Sequence, residues 1–224
     1  MPAPISIVIP TLNVADRIEP VLAALYPGVS EGLIQELIFA DGGSSDAIKE
    51  VADRWGATLL TADQGRGSQL RAGVFAAKGE WVFIIHADTR LSQDWVHLVR
   101  NHISVSKTAA YGRLRFDAKG VFPYITSRWA NFRSRVFGLP YGDQTLLIRQ
   151  TLYQKVGGYP DIPLMEDVAL ARALRGQLSP LSFTATTSAE KYIKRGWVIQ
   201  GARNLSFLIR FLLGADPKKL ADKY

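Results

Sequence analysis

The chain has no cysteine among its 224 residues, which excludes a disulfide framework and any thiolate zinc site. That fits a reducing compartment, and a cytoplasmic location is expected. No apolar run approaches the roughly 20 residues that span a bilayer. Met1-Pro2-Ala3-Pro4 runs straight into a strand-like segment, with no basic leader or cleavage site, so no signal peptide is expected. Acidic side chains are in deficit: 20 Asp and Glu face 27 Lys and Arg, a net charge of +7. That sign favours an anionic partner, such as a phosphorylated ligand or a lipid surface. No nucleic-acid motif or clustered basic helix accompanies it, so no nucleic acid is expected as a partner. Repeats, low-complexity tracts and linkers are also missing, which leaves one domain over 1–224.

What is present is alternation of strand and helix. Ile5–Ile9, Glu36–Ala40 and Trp81–Ile85 read as buried parallel strands, with Thr58–Thr61 a shorter fourth. Between them, Ala15–Leu25, Asp46–Trp55 and Gln69–Ala77 carry helical periodicity. This pattern predicts an α/β fold with a doubly wound, mostly parallel sheet. The second half is less regular: Ala109–Phe116 and Tyr141–Arg149 read as strands, Leu164–Leu174 and Val198–Leu213 as helices. A nucleotide-binding half (about 1–105), an acceptor half (about 106–190) and a C-terminal helical tail (about 191–224) are expected.

Ligands of such sheets bind outside the carboxyl ends of the strands, and the strand ends here carry polar groups. Strand one ends in Pro10-Thr11-Leu12-Asn13, the second in Asp41-Gly42-Gly43, and the central one in His86-Ala87-Asp88-Thr89. His86 and Asp88, two apart, would leave a strand on one face, and a hard cation wants such an oxygen ligand. Asp88 would serve equally as a helix cap, and Asp41-Gly42-Gly43 as a plain turn. Gly65-Arg66-Gly67 opens a helix, where backbone N–H groups favour an anion, and Arg66 and Arg71 add donors suited to phosphate. Leu70 stands where a dinucleotide fingerprint needs its third glycine, and there is no Gly-Lys-Ser/Thr loop. Glu166-Asp167 opens another helix, where the dipole favours acids; a catalytic base would want the same rigid place.

Taken in order, Ser6–Asn13, Phe39–Asp46, Gly65–Gly67, His86–Thr89, Gly157–Tyr159 and Glu166-Asp167 closely resemble the family 2 glycosyltransferases, over about residues 5 to 175. His-Ala-Asp in place of Asp-x-Asp is similar to a small bacterial subset of that family. The resemblance implies a GT-A fold and an inverting, hexosyltransferase-like enzyme that takes a sugar from a nucleotide-diphosphate sugar. It implies nucleotide-sugar contacts from Pro10, Thr11, Asn13, Asp41, Gly42, Gly43, Arg66, Arg71, Ala87 and Asp88. Asp88 and His86 would meet a divalent metal, Mn or Mg; neutral imidazole suits manganese better than magnesium. Asp167 would be the base, paired with Glu166.

Arg195 and Trp197 are further donor-site candidates, although a solvated basic face explains them equally well. The acceptor (lipid carrier, saccharide or metabolite) is left open. The aromatic and basic run from Tyr124 to Phe137 reads as peripheral contact with the inner membrane face or as an acceptor-site lid, and the apolar tail as core packing, a homodimer contact or an interfacial helix. A nucleotidyltransferase is disfavoured because Thr11–Asp16 lacks its basic glycine-rich loop. The His86 departure motivates an inactive sugar-nucleotide binder.

Overall fold

The computed structural model describes residues 3–221 and Lys223; Met1 and Pro2 of the expected leaderless start lie outside them. One eight-stranded sheet runs through the molecule: β1 (Ile5–Thr11), β2 (Ile34–Asp41), β3 (Thr58–Thr61), β4 (Trp81–Ile84), β5 (Arg90–Leu91), β6 (Ala109–Phe116), β7 (Leu146–Arg149) and β8 (Leu178–Thr187). Its order is β3-β2-β1-β4-β7-β6-β8-β5. The first four strands are parallel, as the alternation with helices requires. β7 then pairs antiparallel with both β4 and β6, whereas β6 and β8 are parallel. β1 and β4 are adjacent, but the chain runs from β1 to β2 on one side and from β4 toward β5 at the other end of the sheet, so the strand order reverses between their carboxyl ends.

Apolar runs without alternation make these strands two-faced: β4 is buried throughout and β1 nearly so. One face is covered by α1 (Glu19–Ser30), α2 (Ile48–Trp55) and α4 (Trp95–Val105), through Leu22, Val51 and Trp95. The other is covered by α3 (Arg66–Ala76), α6 (Gln150–Lys155) and α7 (Glu166–Ala173), through Leu70, Leu152 and Leu170. Gly73 lets α3 lie directly on β1: a Cβ there would stand 2.5 Å from Val8 Cγ1. The rest of the chain forms α5 (Val121–Phe137), α8 (Glu190–Arg195), α9 (Trp197–Leu212) and α10 (Pro217–Ala221).

Several boundaries differ from those expected. α1 starts at Glu19 rather than Ala15, because Pro20 suits a first turn, and it continues through Pro27 to Ser30. The expected strand Tyr141–Arg149 shortens to β7, since Gly142–Gln144 is a 3₁₀ turn and Thr145 has φ 62°. α4 and β8 lie where the sequence reading places no element. Pro180 and a run of Ser and Thr hide β8, which nevertheless buries Phe183, Ala185 and Thr187 in alternation.

Candidate active site

The loops after β1, β2 and β4 converge with the starts of α3 and α7. Asp41 is buried, and its carboxylate accepts from Thr11 Oγ1 (2.9 Å), Gly43 N (3.0 Å), Ser44 N (2.8 Å) and Ser44 Oγ. Burial alone would raise its pKa; these hydrogen bonds outweigh it and the pKa is lowered. Its acceptor capacity is thus used within its own loop. Asn13, with φ 51°, accepts at Oδ1 from Ser45 N (2.9 Å), which ties the β1 loop to the β2 loop. Gln69 clamps both from below, donating through Nε2 to Thr11 O (2.7 Å) and Ala40 O (2.8 Å). Pro10, Thr11, Asn13, Asp41, Gly42 and Gly43 are therefore brought to one edge of the sheet. They sit outside the lining of the cavity described next.

That cavity, about 280 Å³, opens beyond β4. Five carboxylates line it: Asp88, Asp143, Glu166, Asp167 and Glu190. The cations Arg66, Lys191 and Arg133 line it too, together with His86. Asp88 stands exposed on a turn closed by Thr89 N donating to His86 O at 3.0 Å, and Ala87 beside it is buried. Arg66 reaches Glu166, with Nη1 3.8 Å from Oε1. That approach depends on Gly67, where a Cβ would lie 2.9 Å from Pro160 O and 3.0 Å from Ile162 O.

Met165, at φ 68°, caps α7 in the left-handed region and turns Glu166 inward and Asp167 toward the cavity. Glu166 is 3% exposed, and its Oε1 has no hydrogen-bond partner. Burial and then the neighbouring Asp167 push its pKa to about 7, against Arg66. Asp167 is half-buried; Oδ2 accepts from Gly142 N (3.0 Å) and Oδ1 from Val168 N (2.7 Å).

Arg71, Arg195 and Trp197 lie outside this cavity lining, and His86 lies in it. Arg71, five residues beyond Arg66 on α3, is turned to another face and lines a separate groove with Phe75 and Tyr153. Arg195 and Trp197 do not line the cavity. Trp197 stacks on Tyr192 (4.9 Å) and packs edge-on against Phe116 (5.1 Å), bracing the wall that presents Lys191. His86 Nε2 is buried without a partner against Gly142, where any Cβ would overlap the ring. Burial, then Arg66 and Lys191, holds His86 well below its ordinary pKa, so the ring enters the cavity lining as neutral imidazole.

Sequence reasoning missed Asp143 and Arg133. Asp143 is raised to about 6, chiefly by burial, and its Oδ1 has no partner. Arg133 is buried, donates from Nε to Leu139 O (3.0 Å) and lies 3.5 Å over the Tyr141 ring. The signal was Gly142-Asp143, a turn pair inside a segment read as strand.

Among the described residues no three His, Cys, Asp or Glu side chains gather to hold a metal. Asp88 alone fits the cation expected: its carboxylate is exposed, with only a long bond from Thr89 Oγ1 at 3.4 Å. A single carboxylate suits an ion held mostly by phosphates and water.

A mixed α/β sheet with a carboxylate-lined cleft at its switch point defines a GT-A glycosyltransferase framework. Residues 6–163 match the sequence profile described as Glycosyl transferase family 2, and the chain belongs to that family. Glucosyl-3-phosphoglycerate synthase from Mycobacterium tuberculosis, in complex with Mn²⁺, uridine diphosphate and glucosyl-3-phosphoglycerate, is similar in fold. It is 20% identical, with TM-score 0.57, over 83% of this chain and 70% of that one. S. aureus TarS 1–349 in complex with UDP-GlcNAc is 18% identical, with TM-score 0.62, over 82% of this chain. This chain covers 58% of that TarS fragment. A search of curated protein sequences found no match.

Proposed function

We propose that the protein transfers a sugar, with inversion, from a nucleotide-diphosphate sugar to an acceptor hydroxyl, with Asp167 as base and a divalent cation at Asp88. The observation that carries this is that Asp88 and Asp167 line one cavity together with Arg66 and Lys191. Uridine diphosphate and manganese in the mycobacterial structure, and UDP-GlcNAc in the TarS structure, support a nucleotide-sugar donor.

In this reading the β1 and β2 loops form the nucleoside edge. Asp41 acts there by shaping its loop, since its own acceptors are taken. The leaving diphosphate gathers negative charge, which Arg66 and Lys191 offset from the cavity wall. A cation bound at Asp88 supplies Lewis-acid stabilisation of the same charge. Asp167 accepts the acceptor's proton. Its carboxylate is oriented by Gly142 N–H and Val168 N–H. Glu166, which keeps its proton to about neutral pH, spares Asp167 a second full charge beside it.

Calorimetric titration of nucleoside diphosphates with manganese, magnesium and chelator tests the donor reading. Metal-dependent binding of one nucleotide is expected; binding of none under any condition would refute it. The anomeric configuration of the product, read by NMR, tests inversion.

A further inference from the structure

Helices α5 and α9, which touch each other, both line the cavity, α5 through Ala130 and Arg133 and α9 through Gln200 and Leu208. Both turn a second, apolar face to solvent. On α5, Phe122, Ile125, Trp129, Phe132 and Val136 are spaced to form one stripe and are 46–57% exposed. On α9, Val198, Leu205, Ile209 and Leu212 form another, while only Gln200, Phe207 and Leu208 of that helix are buried. Trp129 and Leu205 belong to both stripe and cavity lining, so the apolar faces meet at the cavity rim. Soluble monomers rarely leave so much contiguous apolar surface bare.

Charge says what covers it. Residues 118–142 and 191–215 contain nine Lys and Arg and not one Asp or Glu. The remaining chain, with 18 basic and 20 acidic residues, is net −2, so these two segments hold the whole positive excess. Arg128 and Arg135 border the α5 stripe and Arg210 the α9 stripe, all exposed. Aromatic and aliphatic residues on one face with flanking arginines are the chemistry of a helix lying in a membrane interface. No helix among the described residues is long and apolar enough to cross one.

We infer that the α5–α9 face docks on an anionic lipid bilayer, so that the cavity rim meets the membrane and the acceptor is lipid-borne. The acceptor's identity as a lipid rests on the transferase reading; the docking does not.

Co-sedimentation of the full chain separates the outcomes. With vesicles of phosphatidylcholine and phosphatidylglycerol at low salt, binding should exceed that to phosphatidylcholine alone by at least about tenfold. Arg128→Glu/Arg135→Glu/Arg210→Glu should weaken it by at least about a hundredfold, from about fivefold for each arginine lost. Phe132→Ser/Ile209→Ser should weaken it about tenfold or more. Retained nucleoside diphosphate binding by both variants, measured by calorimetry, shows that they are folded. No pelleting of the wild type, or pelleting that both variants keep, overturns the inference. A wild-type dimer in light scattering that Phe132→Ser/Ile209→Ser converts to monomer, without vesicle binding, would assign the face to a second copy instead. Pelleting without any nucleoside diphosphate binding would refute the donor reading and leave the docking intact.

Discussion

At the scale of single residues, Glu166 and Asp167 show how adjacent acids acquire different roles from their surroundings. One points into a buried corner beside Arg66; the other meets the cavity and two backbone N–H groups. Asp167→Asn keeps the shape and removes the proton acceptor, so turnover should fall by about 10²–10⁴-fold. Donor binding by calorimetry should stay within about threefold; unchanged turnover would remove Asp167 from the mechanism. Glu166 predicts a pH-dependent stability. Below its unfolded pKa of about 4.5 it is neutral in both states and costs nothing. Between there and its folded pKa of about 7 the unfolded chain ionises first, so folding stability falls as pH rises and then levels off. Glu166→Gln should therefore raise Tm at pH 8, through a stability gain on the order of 2–3 kcal/mol, and leave it little changed at pH 4. An equal gain at both pH values in thermal melts would contradict this account.

At the scale of elements, the site depends on how α3 is seated. Gly73 sets it against β1, Gly67 sets its first turn against the Pro160–Ile162 loop, and Gln69 ties it to the ends of β1 and β2. Gln69→Leu removes two buried hydrogen bonds to carbonyls. It should cost about 1–3 kcal/mol in chemical denaturation and weaken nucleotide binding through the loosened β1 and β2 loops. A loss of stability without any change in nucleotide affinity would show that these loops do not hold the nucleoside.

At the scale of the whole molecule, the two expected halves share one sheet. β7, from the second half, hydrogen-bonds to β4 of the first, in register from Trp81–Arg149 to Ile84–Leu146. Neither half can lose its structure without exposing an edge of the other's buried sheet. Calorimetric unfolding should be a single transition with equal calorimetric and van't Hoff enthalpies; two resolved transitions would mean the halves are independent domains.

The sequence by itself determined the parallel half and its polar strand ends. Uninterrupted apolar runs, helical periodicity and Gly-flanked acids are local signals, and Pro10–Asn13, Asp41–Gly43, His86–Asp88 and Glu166-Asp167 are each legible within a few residues. Only the tertiary structure decided what those groups face. That Asp41 is held by Thr11 as well as by its own loop, that Gly142 packs on His86 while orienting Asp167, and that Arg71 turns away while Lys191 faces in, follow from contacts between distant segments. Asp143 belongs to the same class, an acid in a turn that becomes part of the cavity because β7 runs antiparallel beside β4. The apolar tail shows the division within one helix. Its composition suits core or interface equally; packing against Met165 and Val168 took Phe207 and Leu208, and left Ile209 and Leu212 outside. Burial is a property of neighbours, and neighbours far apart in the chain are chosen by the fold.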